Sequence, residues 1–307
     1  MLYRKKYVLA KIESTYGTDP TPVGGDAILT KNCQISPQQG NRVSRDLDRA
    51  SLGNDVEIAT GLNTSISFDV EVAGAGVAGD APGYGTLLRA CAFSEVVTPG
   101  TSVVYSPVSS GFESVTLYYF HDGELHKMTG ARGTVSFNLS RDGIPMMSFT
   151  FTGLHNAPTE PVVITPDTSA FIKPLPVTEA NTPVYTVDGF DVRAEEFTLD
   201  IANSVVYRNV VNSESVIITD RAPAGTLKFE QERIADKNFW ALAEAETLVP
   251  VAIEHGTTAG NIVAIDGARV QLSQPTLNDS DGLSVMGMNT LWVPSDSGDD
   301  EVTITVK

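Results

Sequence analysis

The amino-acid sequence predicts an all-β protein made of two tandem β-sandwich modules, each carrying one short helix. Three observations lead to this prediction. Apolar and polar residues alternate with a period of two in many short segments, as they do in strands with one buried face. The 26 glycines and 17 prolines favour frequent turns over long helices. A fixed order of landmarks also occurs twice along the 307 residues, which indicates a repeated unit.

The first copy of that order lies in residues 32–72, which predict a strand, a long polar loop and a second strand. Alternating apolar residues, among them Ile66 and Phe68, mark the second strand. The loop, residues 38–63, carries charges of both signs, which usually form a solvated face but also suit contact with another copy of the same protein. The candidate inter-ring or inter-subunit contact residues in it are Arg42, Arg45, Asp46, Asp48, Arg49 and Asp55.

The second copy occupies residues 195–229. Residues 205–209 stand where residues 42–46 stood, which adds Arg208 to the candidate contact residues. Further on, the triplet Gly-Ala-Arg precedes a strand in both copies, ending at Arg132 and at Arg269. We therefore expect a duplicated module. The alternative is that all-β chains share such alternation by default.

The other elements of the first half follow in chain order. Residues 7–12 predict a short strand, and residues 14–22 break regular structure with a glycine and two prolines. Such an arm either hangs loose or docks on a neighbour. Residues 84–93 are the best helix candidate, and residues 103–153 predict a meander of strands. A two-residue hairpin turn is expected at Asp122-Gly123, a pair that favours positive φ, and another turn at Asp142-Gly143.

Three segments follow from these elements: a first module at residues 1–155, a linker at 156–184 and a second module at 185–307. Six prolines in the linker favour an extended, polyproline-like chain over a packed element. In the second module we expect a helix at residues 236–246, a strand at 249–253 and a terminal strand at 303–306.

Bulk properties exclude several classes of function. The net charge of −17 disfavours a nucleic-acid binder, because phosphates would be repelled, although DNA can still slide past such a surface without sticking. Cys33 and Cys91 lie far apart without metal-ligand spacing, which is typical of buried free thiols. No apolar region follows the basic start, so no signal peptide is predicted, and no apolar run is long enough to span a bilayer.

Two motifs are weaker than they look. Residues 74–79 spell GxGxxG after a strand, but four residues separate them from the helix, and the strand alternates instead of being buried on both faces. A flexible loop is therefore the favoured interpretation. His121, Glu124 and His126 share one face of a predicted hairpin, yet such residues are more often surface than zinc ligands. No catalytic signature is present, and we predict no catalytic, cofactor or metal residue.

The chain resembles the tail tube proteins of long, flexible-tailed bacteriophages. The resemblance rests on residues 10–20 (AKIESTYGTDP), residues 27–30 (AILT), the polar segment at residues 42–47 and the helix start at residues 83–88. It is clearest in the first third of the chain. The resemblance implies a β-sandwich flanked by a helix, in sixfold rings stacked into a hollow tube, with the long loop reaching the next ring. Many family members carry one module per chain, so the second half either repeats the module or decorates it.

We therefore expect a non-enzymatic virion protein of the phage tail, assembled in the bacterial host cytoplasm, that self-assembles into the tube through which the genome leaves. Its expected partners are other copies of itself, other tail proteins at the tube ends, and DNA that passes without specific binding. If each chain carries two modules, three chains form one ring with pseudo-sixfold symmetry; the alternative is a hexamer. The alternative from another class is a β-sandwich that binds carbohydrate or a surface ligand, and an NAD-dependent enzyme ranks third.

Overall fold

The computed structural model describes residues 1–307, and nearly all regular structure in it is β, as the alternation predicted. The first half of the chain contains β1 (Lys6–Ile12), a short 3-10 helix (Gly24–Asp26), β2 (Ala27–Ile28), β3 (Lys31–Ser44), β4 (Glu57–Glu71), α1 (Gly85–Ala90), β5 (Phe93–Thr98), β6 (Ser102–Pro107), β7 (Val115–His121), β8 (Glu124–Ser140) and β9 (Met146–His155).

The second half contains ten strands and one helix. These are β10 (Val184–Val187), β11 (Phe190–Asp191), β12 (Ala194–Asp200), β13 (Asn203–Val210), β14 (Ser213–Arg221), β15 (Ala224–Glu230), α2 (Phe239–Glu244), β16 (Leu248–His255), β17 (Val263–Ser280), β18 (Leu283–Trp292) and β19 (Thr303–Val306). The helices and the strands at residues 249–253 and 303–306 lie where the sequence predicted them, although both helices are shorter.

The two halves pair their strands in the same order. In the first half β3 pairs with β4, β4 with β9, β9 with β8, β8 with β7 and β7 with β1. In the second half β12 pairs with β15, then β18, β17, β16 and β10 follow in that order. All of these pairings are antiparallel, which hairpins and short connections produce readily.

A single core cluster of 48 buried residues runs through both halves of the sandwich. In the first half Phe68 stacks on Phe151, and the rings of Phe149 and Phe151 are parallel within 10°. In the second half Phe197 meets Trp292 edge to face. Offset and edge-to-face pairs of this kind add to the free energy gained by burying apolar area.

The prediction of a long polar loop at residues 38–63 is wrong, because most of this segment is β-strand. β3 runs on to Ser44 and β4 starts at Glu57, so the segment is a long hairpin with a tip at residues 45–56. We call residues 38–63 the first arm. β13 and β14 form the equivalent hairpin in the second half, residues 203–221, which we call the second arm. Hairpin strands that pair mainly with each other do not need one apolar face, so alternation did not reveal them.

Two segments without regular structure, the linker and residues 14–22, are docked on their own chain. The proline-rich linker contains no strand, but Phe171 packs against the core and lies over Gly83. The predicted N-terminal arm, residues 14–22, is also held, because the Asp19 carboxylate accepts a hydrogen bond from the Tyr118 hydroxyl at 2.5 Å. The linker is therefore extended, as its prolines predicted, but it packs on the core, and residues 14–22 dock on their own chain instead of hanging loose or docking on a neighbour.

Candidate assembly surfaces

The two halves join edge to edge through β8 and β12. The register pairs Phe197 with Leu139 and Leu199 with Phe137, and all four side chains are buried in the core. The junction therefore makes one continuous eight-stranded sheet in the order β3, β4, β9, β8, β12, β15, β18 and β17. Shared core and shared backbone hydrogen bonds hold the halves in one fixed arrangement.

A second junction involves the glycine motif that resembled a dinucleotide fingerprint. Gly76 N donates to the carbonyl oxygen of Gly260 at 2.7 Å, and Gly74 N donates to Asn261 Oδ1 at 3.0 Å. A Cβ on Gly74 would collide with the backbone at Gly260. The glycines therefore permit two loops to approach closely, one from each half, and no helix follows them directly.

Both ends of the eight-stranded sheet have an open edge. At one end, residues 31–36 of β3 pair only with β4. At the other end, residues 272–280 of β17 pair only with β18, since the partner strand β16 ends at the pair Leu248–Gln271. Residues 31–36 of β3 occupy the position in the first half that β12 occupies in the second half. Residues 272–280 of β17 occupy the position in the second half that the C-terminal half of β8 occupies in the first half. An open edge presents free N–H and C=O groups that can pair with another chain.

The face of this sheet that points away from the core is mostly polar and acidic, and the exposed Leu291 lies at one end of it, in the row that contains Asp200 and Ala224. Its strands contribute small side chains such as Ser148 and Asn138, which alternate with the buried residues. Five carboxylates share this face with the ammonium groups of Lys31 and Lys228. The five acidic residues are Asp69, Glu71, Glu196, Asp200 and Glu230.

The second arm lies against β8, β9 and β4 of the first half. Val216 N donates to the Tyr16 hydroxyl at 2.6 Å, and the carbonyl oxygen of Val216 accepts from Arg132 Nη1 at 2.8 Å. The Arg132 guanidinium also stands over the Tyr16 ring, 5.0 Å from its centroid. One residue pair thus clamps both backbone groups of Val216, whose side chain is completely buried.

The base of the second arm is fixed by Asn203. Its amide group donates to the carbonyl oxygens of Cys91, at 2.8 Å, and Gly133, at 3.0 Å. Its backbone N–H donates to Thr134 Oγ1 at 3.1 Å. Because Asn203 is buried, these bonds form in a medium where a lost partner would leave a costly unpaired group.

Tyr16 is positioned by the buried carboxylate of Glu13. This carboxylate accepts hydrogen bonds from Gly17 N, Ser114 Oγ, Thr116 Oγ1 and Gly130 N, all between 2.6 and 2.7 Å. Burial raises the pKa of Tyr16, so its hydroxyl stays protonated near neutral pH. The function of the ESTYG stretch in this fold is therefore to present Tyr16 to the second arm.

The first arm projects without comparable contacts. Arg42, Arg45, Asp46, Asp48 and Arg49 are exposed, and Asp55 is half-buried. Asp55 pairs with Arg49 and accepts from Leu47 N at 3.0 Å, so these bonds close the tip on itself. Arg208 is exposed on the second arm, a different hairpin from the one that carries these residues. The structure therefore brings the candidate residues of the tip together and leaves their outer surface free.

Sequence reasoning missed the clamp made by Tyr16 and Arg132. Arg132 was noticed only as the end of the Gly-Ala-Arg triplet, and Tyr16 only within the resemblance. The same triplet ends at Arg269 in the second half, where the buried Nε has no hydrogen-bond partner. The repeated triplet was the available signal, but its importance depends on an arm that is distant in sequence.

The histidine hairpin has the predicted pairing, Tyr119 opposite His126 and His121 opposite Glu124. His126 Nε2 lies 3.5 Å from the Glu124 carboxylate, and burial lowers the pKa of His126. His121 makes an edge contact with Tyr3. No group of three His, Cys, Asp or Glu side chains is arranged to hold a metal ion.

Fold and surfaces together define a structural all-β protein with two open sheet edges and two hairpin arms. A family model described as phage tail tube protein matches residues 4–305, so the chain belongs to the phage tail tube protein family. It is thus a structural component of the bacteriophage virion, a β-sandwich protein of the tail. A search of curated proteins finds no match. None of its helices is long and apolar enough to cross a membrane.

Proposed function

We propose that this chain carries two copies of one tail tube module and that three chains close a ring with pseudo-sixfold symmetry. The proposed copies are residues 1–155 and 185–307, joined by the linker at 156–184. The observation that carries the proposal is the internal pairing of β8 with β12, together with the equivalent edges on β17 and β3 that stay open.

The geometry of ring closure follows from that pairing. If the β8–β12 contact is one step of a repeating arrangement, the next step pairs β17 of one chain with β3 of its neighbour. Such a head-to-tail contact generates a ring when the rotation closes. Because each chain supplies two modules, the sixfold symmetry implied by the family resemblance needs three chains. Backbone pairing of open edges provides affinity without special side chains.

The acidic face of the eight-stranded sheet is proposed to line the lumen of the stacked rings. A duct for DNA should not hold phosphates, and the five carboxylates of this face outnumber its two lysines. Small serine and threonine side chains leave such a wall smooth. DNA then passes on its way into the host without specific binding.

Ring stacking is proposed to use the tip of the first arm, residues 45–56. Its charges of both signs need partners of both signs, which an equivalent ring above or below supplies. Other tail proteins would cap the open rings at the tube ends. Assembly is proposed to take place in the host cytoplasm, before the tail joins the virion.

A single substitution at the open edge tests ring closure. Leu277 lies in the part of β17 whose outer edge is open and is exposed in the single chain, so Leu277→Lys should fold normally. A lysine at the buried edge of a β junction should prevent pairing, and negative-stain images should then contain no rings or tubes. Val162→Lys, an exposed position in the linker, is the matched control.

Symmetry in a reconstruction of the wild-type tube decides the stoichiometry. Three chains per ring are expected. Six chains per ring, with residues 185–307 hung outside as a decoration, would refute the two-module arrangement. Isolated particles under all conditions would instead favour the alternative of a β-sandwich that binds a carbohydrate or surface ligand.

A further inference from the structure

The two arms carry the same apolar pair in different surroundings. In the second arm Ile218 pairs with Val205, and in the first arm Ile58 pairs with Val43. In both arms a valine stands two residues before the isoleucine. Val216 and Ile218 are 0% and 8% exposed, whereas Val56 and Ile58 are 70% and 54% exposed. The same valine and isoleucine positions are therefore covered by the rest of the chain in the second arm and left exposed to solvent in the first arm.

The surface that covers the second arm has a counterpart in the second half of the chain. Arg132 lies at an irregular point of β8, and Arg269 lies at an irregular point of β17, after the same Gly-Ala-Arg order. Arg132 donates to the carbonyl oxygens of Val216, Phe112 and Glu113. Arg269 Nε is buried and has no partner. The Nε of Arg132 donates to Glu113 within its own half and its Nη1 donates to the arm, whereas the Arg269 side chain makes no hydrogen bond and keeps the corresponding Nη1 donor for an acceptor from another chain.

Exposed apolar side chains lie beside Arg269. Leu248 and Leu291 flank Gln271 on its two neighbouring strands, and both are exposed in the single chain. Val293 N donates to the carbonyl oxygen of Arg269 at 2.9 Å, which ties this arginine to the end of β18. The site therefore combines exposed apolar area with an arginine that makes no side-chain hydrogen bond, whereas the equivalent Arg132 holds the second arm through its Nη1.

We propose that the first arm of one chain docks on the second half of the neighbouring chain within the same ring. Val56 and Ile58 are covered there by Leu248 and Leu291, and the Arg269 guanidinium donates to the backbone carbonyl of Val56. This inference rests on the proposed ring in one respect, namely that β3 pairs with β17 of the neighbour.

The internal junction argues for that occupant over any other. β12 pairs with β8, and the arm that continues from β12 lies on the half to which β8 belongs. If β3 pairs with β17 of a neighbour, the arm that continues from β3 is directed to the half to which that β17 belongs. The base of the first arm and Val56, the last residue of the tip, are thus used within the ring, and the rest of the tip, residues 45–55, extends beyond it.

Pairs of introduced cysteines test the docking directly. Val56→Cys with Ala268→Cys reports the arm, and Ser36→Cys with Asn278→Cys reports the edge pairing of β3 with β17. The native thiols do not compete, because both are buried; burial raises the pKa of Cys33 to about 12 and that of Cys91 well above its ordinary value. A short bismaleimide applied to assembled tubes should link both pairs.

The size of the linked products separates the outcomes. Docking within the ring gives covalent products that stop at three chains. A ladder of products beyond three chains from the arm pair would mean contact between rings and would overturn the inference. Linkage of the edge pair without the arm pair would also overturn it, while leaving the proposed ring intact. Absence of both linkages would refute the ring and this inference together.

A substitution at Arg269 provides a second measurement. Arg269→Gln should leave the melting temperature of the single chain unchanged and raise the protein concentration needed for assembly by about tenfold, the effect of losing one or two charge-assisted hydrogen bonds. Arg269→Lys should restore part of the loss, since lysine keeps a donor. Arg233→Gln, at an exposed arginine, is the matched control. An unchanged assembly concentration in Arg269→Gln would contradict the docking.

Discussion

The two arms of this chain are the same hairpin in two situations. The second arm has a two-residue turn and lies on its own chain, clamped at Val216 by Tyr16 and Arg132. The first arm has a tip at residues 45–56 and projects with its equivalent apolar pair uncovered. In the proposed ring, the contact that the second arm makes inside one chain is the template for the contact that the first arm makes with a neighbouring chain. Substitutions at matched positions should therefore act on folding in one arm and on assembly in the other.

The largest contrast is expected between Val216→Asp and Val56→Asp. A carboxylate at the completely buried Val216 should lower the free energy of unfolding by about 3–5 kcal/mol, because the charge has no partner there. At the exposed Val56 the same change should stay within about 0.5 kcal/mol. Urea denaturation of the unassembled chain measures both.

Equal losses of stability in the two variants would break the comparison, since they would place Val56 in a folded contact of its own chain. Only Val56→Asp should retain a normal unfolding midpoint while failing to assemble.

A smaller contrast is expected between the two arginines. Arg132→Ala leaves the carbonyl groups of Phe112 and Val216 without their donor and should cost about 2–4 kcal/mol of stability. Arg269→Ala removes a buried N–H that has no partner and should change the stability of the single chain by less than about 0.5 kcal/mol. Thermal unfolding of both variants, with Arg233→Ala as control, provides the measurement. A large loss in Arg269→Ala would show that this residue already acts within the chain.

The sequence predicted the all-β class because strands such as β4 alternate core and surface residues, and a buried face is a local pattern. It predicted the turn at Asp122-Gly123 because both residues need positive φ, which they have here, at 47° and 104°. The strands of the two arms were not predicted, because they lack this alternation. They pair mainly with each other, and the charges of residues 42–55 resemble those of a loop.

The contacts of Tyr16 and Arg132 with Val216 also could not be predicted from any local sequence pattern. The partners Arg132 and Val216 are 84 positions apart, and Tyr16 and Val216 are 200 apart. Only the way the two halves join brings them together. The linker provides the converse lesson, because its prolines did predict an extended chain, but whether such a chain docks depends on a distant cleft that accepts Phe171.

At the tip of the first arm the expected effect is on assembly alone. Arg45→Glu with Arg49→Glu reverses two exposed charges, and the Arg49–Asp55 pair that is lost joins an exposed guanidinium to a carboxylate shielded within the tip, so its effect on folding is confined to the tip. The variant should therefore fold normally and polymerise poorly, as measured by sedimentation and electron microscopy. Arg4→Glu with Arg233→Glu makes the same change of charge elsewhere on the exposed surface. Normal tubes from the tip variant would leave the tip as a solvated surface only.

The smallest expected effect concerns the linker, which is the part that joins the two compared halves. His255 is buried in β16, where Nδ1 lies 2.9 Å from Thr182 Oγ1 and Nε2 lies 3.1 Å from the carbonyl oxygen of Leu175. Burial lowers the pKa of His255, and the bond to Leu175 partly opposes this shift. Below the ordinary histidine pKa of about 6.5 the unfolded chain therefore binds a proton more readily than the folded chain. This contribution to stability is present above that value and is lost as the pH falls through the folded pKa.

The melting temperature should drop between about pH 7.5 and pH 5.5, and the drop should be smaller in His255→Gln, which cannot titrate. Thr182→Val removes the hydroxyl partner but keeps the imidazole, so it should lower the melting temperature at both pH values and preserve the drop. An equal drop in wild type and His255→Gln would assign the pH dependence to other groups and leave the docking of residues 175–182 independent of this histidine.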